Sequence, residues 1–128
     1  MYIEQIYTKC LAEASYYIES NGFAAIIDPI RDIEIYTDLA EKRSAKIVYI
    51  FETHFHADFV SGHIDLAAAT NAPIIFGESA KAAYQITAAH DGQIFKLGDI
   101  SIVALHTPGH TMESTTWLLK TAEGKDHA

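Results

Sequence analysis

Two groups of histidines are the residues in this sequence best suited to carry chemistry. The first group comprises His54, His56 and His63, and the second comprises His106 and His110. In a locally extended backbone, residues two apart point the same way, so His54, His56 and Asp58 can converge on one space. Imidazole and carboxylate groups are ligands for zinc, iron and manganese. The pattern predicts a metal site built around His54, His56 and His110.

Each histidine group follows a predicted strand. The first comes after the apolar run Lys46 to Phe51, and the second comes after Ile100 to Leu105. Ligands gather at the carboxyl ends of strands in α/β architectures. The Thr107-Pro108-Gly109 turn would direct His110 back across the top of a sheet, and Gly109 would allow close backbone approach. The alternative is that these are ordinary surface or core histidines, but two groups at equivalent strand ends favour a site.

Several short segments have the composition of strands. They are rich in Ile, Val, Tyr and Ala and are bounded by turn residues. The predicted strands are Ile3 to Thr8, Ser15 to Glu19, Phe23 to Asp28, Lys46 to Phe51, Pro73 to Phe76, Gln93 to Leu97, Ile100 to Leu105 and Thr115 to Lys120. Asn21-Gly22 favours a tight hairpin turn, so the second and third strands should pair antiparallel.

Helices are predicted between some of these strands. From Asp32 to Arg43, the apolar residues recur at three- and four-residue spacing, which places them on one helical face. Asp32 is the expected N-cap. A second helix is expected from about Gly62 to Thr70, and a weaker one after Glu78. Together the elements indicate a mixed sheet flanked by helices.

Composition limits the classes of function. The chain has 128 residues and a formal net charge of −8, which does not suit binding to nucleic acid or to anionic membranes. No apolar run approaches the length of a membrane span, and the N-terminus lacks a secretory signal pattern. With one cysteine, no intramolecular disulfide can form. We therefore expect a single domain over residues 1–128 that resides in the cytoplasm.

The two motifs together resemble the metallo-β-lactamase superfamily. His-x-His-x-Asp follows a hydrophobic strand, and His-Thr-Pro-Gly-His-Thr follows about fifty residues later. The resemblance spans the whole chain. It implies an α+β fold, the N-terminal half of an αββα sandwich, with His54, His56 and His110 as ligands of the first metal.

Within the superfamily, the stretch from Glu52 to His63 is most similar to persulfide dioxygenases, including those fused to rhodanese domains. It is also similar to hydroxyacylglutathione hydrolases, in which a histidine after the aspartate helps to hold a second metal. Here that position is Phe59, and a phenyl ring cannot ligate. A single metal is therefore expected.

The persulfide dioxygenase resemblance implies one Fe(II), with Zn(II) as the alternative metal. In that family two histidines matching His54 and His110, with an aspartate further along, hold the iron and leave positions open for dioxygen and substrate sulfur. His56 and Asp58 would then orient ligands or water. The substrate would be a small thiol persulfide. In the hydrolase alternative, zinc-bound hydroxide attacks a thioester and Asp58 orients the water.

The family's aspartate ligand lies beyond the segment present here, so we expect a domain that is truncated before the third metal-ligand motif. One of four later residues could replace that aspartate, but for each of them a solvated side chain is the preferred expectation: Glu113, Glu123, Asp126 and His127. Unpaired strand edges and apolar surface should favour a homo-oligomer or a complementing C-terminal half. A third hypothesis is therefore a non-catalytic domain that binds metal or a partner.

Overall fold

Nine strands and two helices make up the described part of the chain in a computed structural model, which describes residues 1–8, 13–29, 33–52, 63–77, 87–106 and 115–121. The strands are β1 (Tyr2–Thr8), β2 (Glu13–Ser20), β3 (Phe23–Ile27), β4 (Lys46–Phe51), β5 (Ile74–Gly77), β6 (Thr87–Ala89), β7 (Ile94–Leu97), β8 (Ile100–His106) and β9 (Thr115–Lys120). The helices are α1 (Glu34–Lys42) and α2 (His63–Thr70).

The first sheet contains six strands in sequential order, β1 to β6. β1, β2 and β3 pair antiparallel, whereas β3, β4, β5 and β6 pair parallel. The turn between β2 and β3 holds Asn21 at φ 52° and Gly22 at φ 85°, the positive angles that a tight hairpin needs. The predicted antiparallel pairing of the second and third strands is confirmed.

The short strand β6 is the element that sequence patterns missed. Thr87-Ala88-Ala89 pairs parallel with β5, from Ile75↔Thr87 to Gly77↔Ala89. A three-residue strand with two alanines carries little β-propensity of its own, so its pairing with β5 determines its conformation. The helix predicted after Glu78 falls on residues 78–86, which lie outside the described residues.

The second sheet contains β7, β8 and β9, which are all antiparallel. The turn between β7 and β8 packs against the end of β2. The backbone N–H of Asp99 donates to the Ser20 hydroxyl at 3.0 Å. Gly98 has φ +56°, and a Cβ at this position would lie 2.1 Å from the Ser20 carbonyl oxygen. Glycine is therefore required here by close approach as well as by conformation.

Two apolar cores lie on opposite faces of the first sheet. The core between the sheets includes Ile18, Phe51, Phe95, Ile102 and Trp117. The core beneath the helices includes Tyr17, Ile26, Tyr36, Ile50 and Leu66. Tyr17 is fully buried, whereas its neighbour Tyr16 is 37% exposed, as expected for adjacent residues of one strand.

Helix α1 begins one residue later than the predicted N-cap at Asp32 implies. Its N-cap position is Ile33, which makes no side-chain capping hydrogen bond, so the expected Asp32 cap is wrong; Asp32 itself lies outside the described residues. The predicted apolar face is confirmed, because Tyr36 and Ala40 are buried and Ile33 and Leu39 pack against the same core.

The described residues thus form three layers, with helices on a mixed six-stranded sheet that faces a three-stranded sheet. This arrangement confirms the α+β class and fits half of an αββα sandwich. Neither helix in these described ranges is long and apolar enough to cross a bilayer.

Candidate metal centre

The carboxyl end of β4 is the point from which the first histidine motif leaves the first sheet. The backbone N–H of Asp28 donates to the Phe51 carbonyl at 2.9 Å, and that of Glu52 donates to the Ile75 carbonyl at 3.0 Å. These bonds fix the end of β4 between its two parallel neighbours. The chain then enters residues 53–62, which carry His54, His56 and Asp58 and lie outside the described residues.

The second histidine motif connects two paired strands of the second sheet. β8 ends at His106, which pairs with Thr115 at the start of β9. The intervening residues 107–114 carry His110 and lie outside the described residues. The two ends of this segment are therefore neighbours in the sheet.

Trp117 joins the two sheets where these motifs begin. Its indole Nε1–H donates to the Glu52 carbonyl oxygen at 3.3 Å, and its ring centroid lies 4.6 Å from that of Phe51. Glu52 is two residues before His54, and Trp117 is two residues after the start of β9. The segments that carry the two motifs consequently leave the sandwich at the same end.

The predicted ligands themselves are not among the described residues. His54, His56, Asp58 and His110 fall in the gaps, as do Phe59, Glu113, Glu123, Asp126 and His127. His63 begins α2 and His106 ends β8, and His90 is exposed near a turn. Within the ranges that the structure describes, no three His, Cys, Asp or Glu side chains group as a metal site. The ligand set stays a prediction.

Two acidic residues at this end of the first sheet were not assigned a role from the sequence. Glu52 follows β4 and is fully buried, and Asp28 follows β3, is partly buried and has φ +52°. A left-handed conformation is uncommon for a residue other than glycine. The signal that could have identified both is an acid directly after each of two adjacent strands.

A hydrogen-bonded network lies away from this end of the sheet. Arg43 Nε contacts Glu19 Oε1 at 2.8 Å, and the Tyr17 hydroxyl donates to the same oxygen at 2.8 Å. The Arg43 guanidinium also stacks over the Tyr2 ring at 3.5 Å. The hydrogen bond from Arg43 holds the pKa of Glu19 below its ordinary value. Burial, followed by the bond to Glu19, raises the pKa of Tyr17.

One surface groove of about 350 Å³ lies between the helices and the start of β4. Its lining residues include Ala40 and Glu41 of α1, Lys46 and Ile47 of β4, and Thr70 of α2. Lys46 and Ile47 are at the amino end of β4, opposite the end from which His54 follows. This groove is therefore separate from the candidate metal centre.

A family model described as the metallo-beta-lactamase superfamily matches residues 8–115. The chain belongs to the metallo-β-lactamase superfamily. The match includes both histidine motifs and all the strands from β2 to β8. Members of this superfamily generally bind metals, and the predicted donors, imidazole and carboxylate, have the chemistry to do so here.

Curated relatives within the superfamily are mostly hydroxyacylglutathione hydrolases. The cytoplasmic enzyme of Arabidopsis thaliana is 35% identical over 127 residues, which cover 95% of this chain and 49% of the relative. The probable hydroxyacylglutathione hydrolase glo2 of Schizosaccharomyces pombe is 30% identical over 99 residues, covering 75% of this chain and 38% of the relative. The chain spans about half or less of these superfamily relatives.

Solved structures of the superfamily match the fold along the chain. A metallo-beta-lactamase from Staphylococcus aureus superimposes with a TM-score of 0.88 at 38% identity, covering 100% of this chain and 41% of that protein. ETHE1 from Myxococcus xanthus superimposes with a TM-score of 0.81 at 24% identity, covering 93% of this chain and 54% of that protein. Both superpositions agree with the metallo-β-lactamase fold of the described residues.

Proposed function

We propose that this protein is a metallo-β-lactamase-fold oxidoreductase of the cytoplasm that holds one Fe(II) and oxidises a low-molecular-weight persulfide. The observation that carries the single-metal part of the proposal is Phe59, which follows the His54-x-His56-x-Asp58 motif where the dinuclear hydrolases of the superfamily have a histidine. A phenyl side chain cannot replace that ligand, so a mononuclear centre suits this chain better. The resemblance of residues 52–63 to persulfide dioxygenases supports the iron and the substrate.

The described residues that flank the two motifs support the proposal. The bond between Trp117 and Glu52 joins the sheets where the segments carrying His54 and His110 begin. In the proposed centre these two histidines hold the metal, and the family's carboxylate ligand lies beyond the segment matched here. When bound, Fe(II) supplies open coordination positions for dioxygen and the substrate sulfur.

The other residues near the proposed metal centre would orient its ligands and keep water away from it. His56 and Asp58 would orient ligands or a water molecule by hydrogen bonding. Phe51, Phe95 and Trp117 form an apolar base under this end of the sandwich, with ring centroids 4.6 to 6.3 Å apart. The overall reaction converts a persulfide, dioxygen and water into a thiol, sulfite and two protons.

A zinc-dependent thioester hydrolase is the second candidate. It is favoured by the curated relatives, which include the hydroxyacylglutathione hydrolase that is 35% identical to this chain. In that reaction Asp58 would orient the attacking water and accept a proton from it. Dioxygen takes no part, so oxygen consumption separates the two candidates.

The proposed partners also include a second polypeptide. Ile3, Tyr16 and Phe23 are each at least 36% exposed, and strand pairing places them on the face of the first sheet that also carries Ile18. Apolar residues grouped on one sheet face favour association. We propose that this surface is covered in a homo-oligomer or by a complementing C-terminal half.

Elemental analysis of the purified chain tests the proposed centre, with His54→Ala and His110→Ala as the informative variants. His90→Ala is the matched control, because His90 is exposed near a turn that precedes β7. We expect near-stoichiometric iron in the wild type and the control, and loss of iron in both informative variants.

Oxygen uptake with a low-molecular-weight persulfide, in the presence of iron, completes this test. Zinc content with thioester hydrolysis and no oxygen uptake would instead establish the second candidate. If the wild type bound neither iron nor zinc, this chain would be a non-catalytic domain, and both enzymatic proposals would be wrong.

A further inference from the structure

Strand β1 forms one edge of the first sheet. It pairs with β2 in an unbroken antiparallel register, from Tyr2↔Glu19 to Thr8↔Glu13, and within the described ranges no strand lies on its other side. Alternate backbone N–H and C=O groups of an edge strand point away from the sheet, where they can bind another extended strand. This edge therefore offers a template for a partner in β conformation.

β1 lacks the features by which proteins usually protect a sheet edge. Protected edge strands are short, bulged, or marked by lysine or proline. β1 has seven residues, no bulge in its register with β2, and neither lysine nor proline. Among the edge strands in the described part of the chain, β6 has three residues, whereas β7 and β9 carry Lys96 and Lys120. β1 is the edge best suited to pairing.

Side-chain contacts hold β1 in place on the sheet. The Arg43 guanidinium lies 3.5 Å from the centre of the Tyr2 ring, and the rings of Tyr2 and Tyr17 pack edge to face with centroids 6.1 Å apart. Arg43 also binds Glu19, the residue that pairs with Tyr2. A strand that is already ordered loses little conformational freedom when a partner is added, which favours binding.

A second copy of β1 fits this edge. When a strand pairs antiparallel with its own copy about a twofold axis, opposite residues point to the same face. Centring the pairing on Ile3 places the two exposed Ile3 side chains against each other and Tyr2 opposite Glu4 of the other copy. The Tyr2 hydroxyl already donates to Glu4 within one strand, so each carboxylate keeps a donor in this register.

The neighbouring registers are less favourable. A centre on Glu4 would put two carboxylates directly opposite each other, and like charges in that position destabilise a sheet. A centre on Gln5 would put Glu4 against the apolar Ile6. A centre on Ile6 would leave Ile3 outside the pairing, although Ile3 is exposed and Ile6 already packs against the core beneath the helices. A centre on Tyr2 would pair residues 1–3 alone.

We propose that two copies of this chain associate by antiparallel pairing of their β1 strands, with Ile3 of each copy at the twofold axis. The inference rests on the homo-oligomer included in the proposed function and deepens it, because it assigns the contact to one edge of the first sheet. Glu4 is the only charged side chain of β1, whereas the chain carries a net charge of −8. Repulsion between the copies is therefore mainly long-range, and added salt should strengthen the pairing by screening it.

Sedimentation of the whole chain over a range of concentrations tests the pairing, with Ile3→Lys as the informative variant. Ile35→Lys is the matched control, because Ile35 of α1 is 38% exposed and Ile3 is 36% exposed. We expect a monomer–dimer equilibrium in the wild type and in the control. Ile3→Lys puts two like charges at the axis, so it should raise the dissociation constant of the dimer by at least about 10-fold.

Disulfide formation between copies tests the register. In a Cys10→Ala background, Ile3→Cys would place the thiols of the two copies opposite each other, so oxidation should produce a covalent dimer. Gln5→Cys is the control, because its two thiols would lie four residues apart along the strands, about 13 Å, which a disulfide cannot span. This comparison also decides the inference if Ile3→Lys fails to fold.

Three outcomes would overturn the inference. A wild type that stays monomeric at every concentration and salt level would reject the homo-oligomer together with the pairing. A dimer that resists Ile3→Lys but is weakened by Phe23→Ser would reject the pairing alone and assign association to the exposed sheet face. Equal cross-linking of Ile3→Cys and Gln5→Cys would reject the register. Elemental analysis tests the proposed metal centre separately from all three.

Discussion

The contact between the β7–β8 turn and the end of β2 leads to a quantitative prediction about Gly98. In Gly98→Ala, the new methyl carbon would lie 2.1 Å from the carbonyl oxygen of Ser20 and 2.6 Å from its carbonyl carbon. Both are backbone atoms, so a side-chain rotation cannot relieve the overlap. The substitution should separate the turn from β2 and break the 3.0 Å bond between Asp99 and the Ser20 hydroxyl.

Gly92→Ala is the matched control for this prediction. Gly92 also has positive φ, +84°, but a Cβ there would meet no atom within 4 Å. Its cost is the left-handed conformation alone, about 1–2 kcal/mol. Gly98→Ala adds the overlap with Ser20, which costs about 1–3 kcal/mol in a packed interior. Because the left-handed cost is common to both variants, their difference in free energy of unfolding should be about 1–3 kcal/mol.

Urea unfolding followed by far-ultraviolet circular dichroism measures this difference. At a slope of about 1–3 kcal/mol per molar urea, this difference corresponds to a shift in midpoint of roughly 1 M between the variants. The urea midpoint of Gly98→Ala should be lower than that of Gly92→Ala by this amount, or the Gly98→Ala chain should be unfolded already without urea. Equal midpoints for the two variants would refute the close approach of Gly98 to Ser20.

Three further predictions follow from other contacts. Trp117→Phe removes the 3.3 Å hydrogen bond to the Glu52 carbonyl, so it should lower the free energy of unfolding by about 1–3 kcal/mol. It should also weaken binding of Co(II), and an unchanged Co(II) affinity would contradict a link between this hydrogen bond and the proposed metal centre. Arg43 lowers the pKa of Glu19, so their pair stabilises the fold at pH above the ordinary value of 4.5 and loses that effect as the pH falls through the lower pKa of the folded state. Urea titrations across this range should therefore show a smaller loss of stability on acidification in Glu19→Gln, and parallel curves would contradict it. Phe23→Ser, at a residue that is 43% exposed, should lower the mass-average size in analytical ultracentrifugation, whereas an unchanged distribution would exclude this surface from association.

Strand positions followed closely from the sequence because local patterns determine them. The predicted bounds of β4 and β9 are confirmed without change, since each is a run of β-branched, aromatic or leucine residues ending at a polar or turn segment. β6 was missed, because two alanines and a threonine indicate no particular conformation until β5 supplies the hydrogen bonds. The start of α1 was wrong because Ile33 occupies the cap position without a side-chain bond.

For the candidate centre, too, the sequence predicts what depends on local spacing and does not predict what depends on packing between distant elements. His54, His56 and His110 could be predicted as ligands from residue type and spacing, and they stay predictions. The burial of Glu52 could not be predicted, because an acid after a strand is exposed in most proteins. Its burial depends on packing against elements that are distant in sequence, including β9.

The hydrogen bond between Trp117 and Glu52 also affects the order in which the elements fold. Its two residues are 65 positions apart, whereas β2 and β3 are joined by a two-residue turn. Contacts over long separations form late, since each doubling of the closed loop adds about 0.6 kcal/mol of entropy cost. During synthesis, β1 to β4 can pair while the chain that carries β9 is still inside the ribosome. In the proposed metal centre, the two histidine segments would come together only after Trp117 has emerged, so we expect metal capture to follow the pairing of β1 to β4.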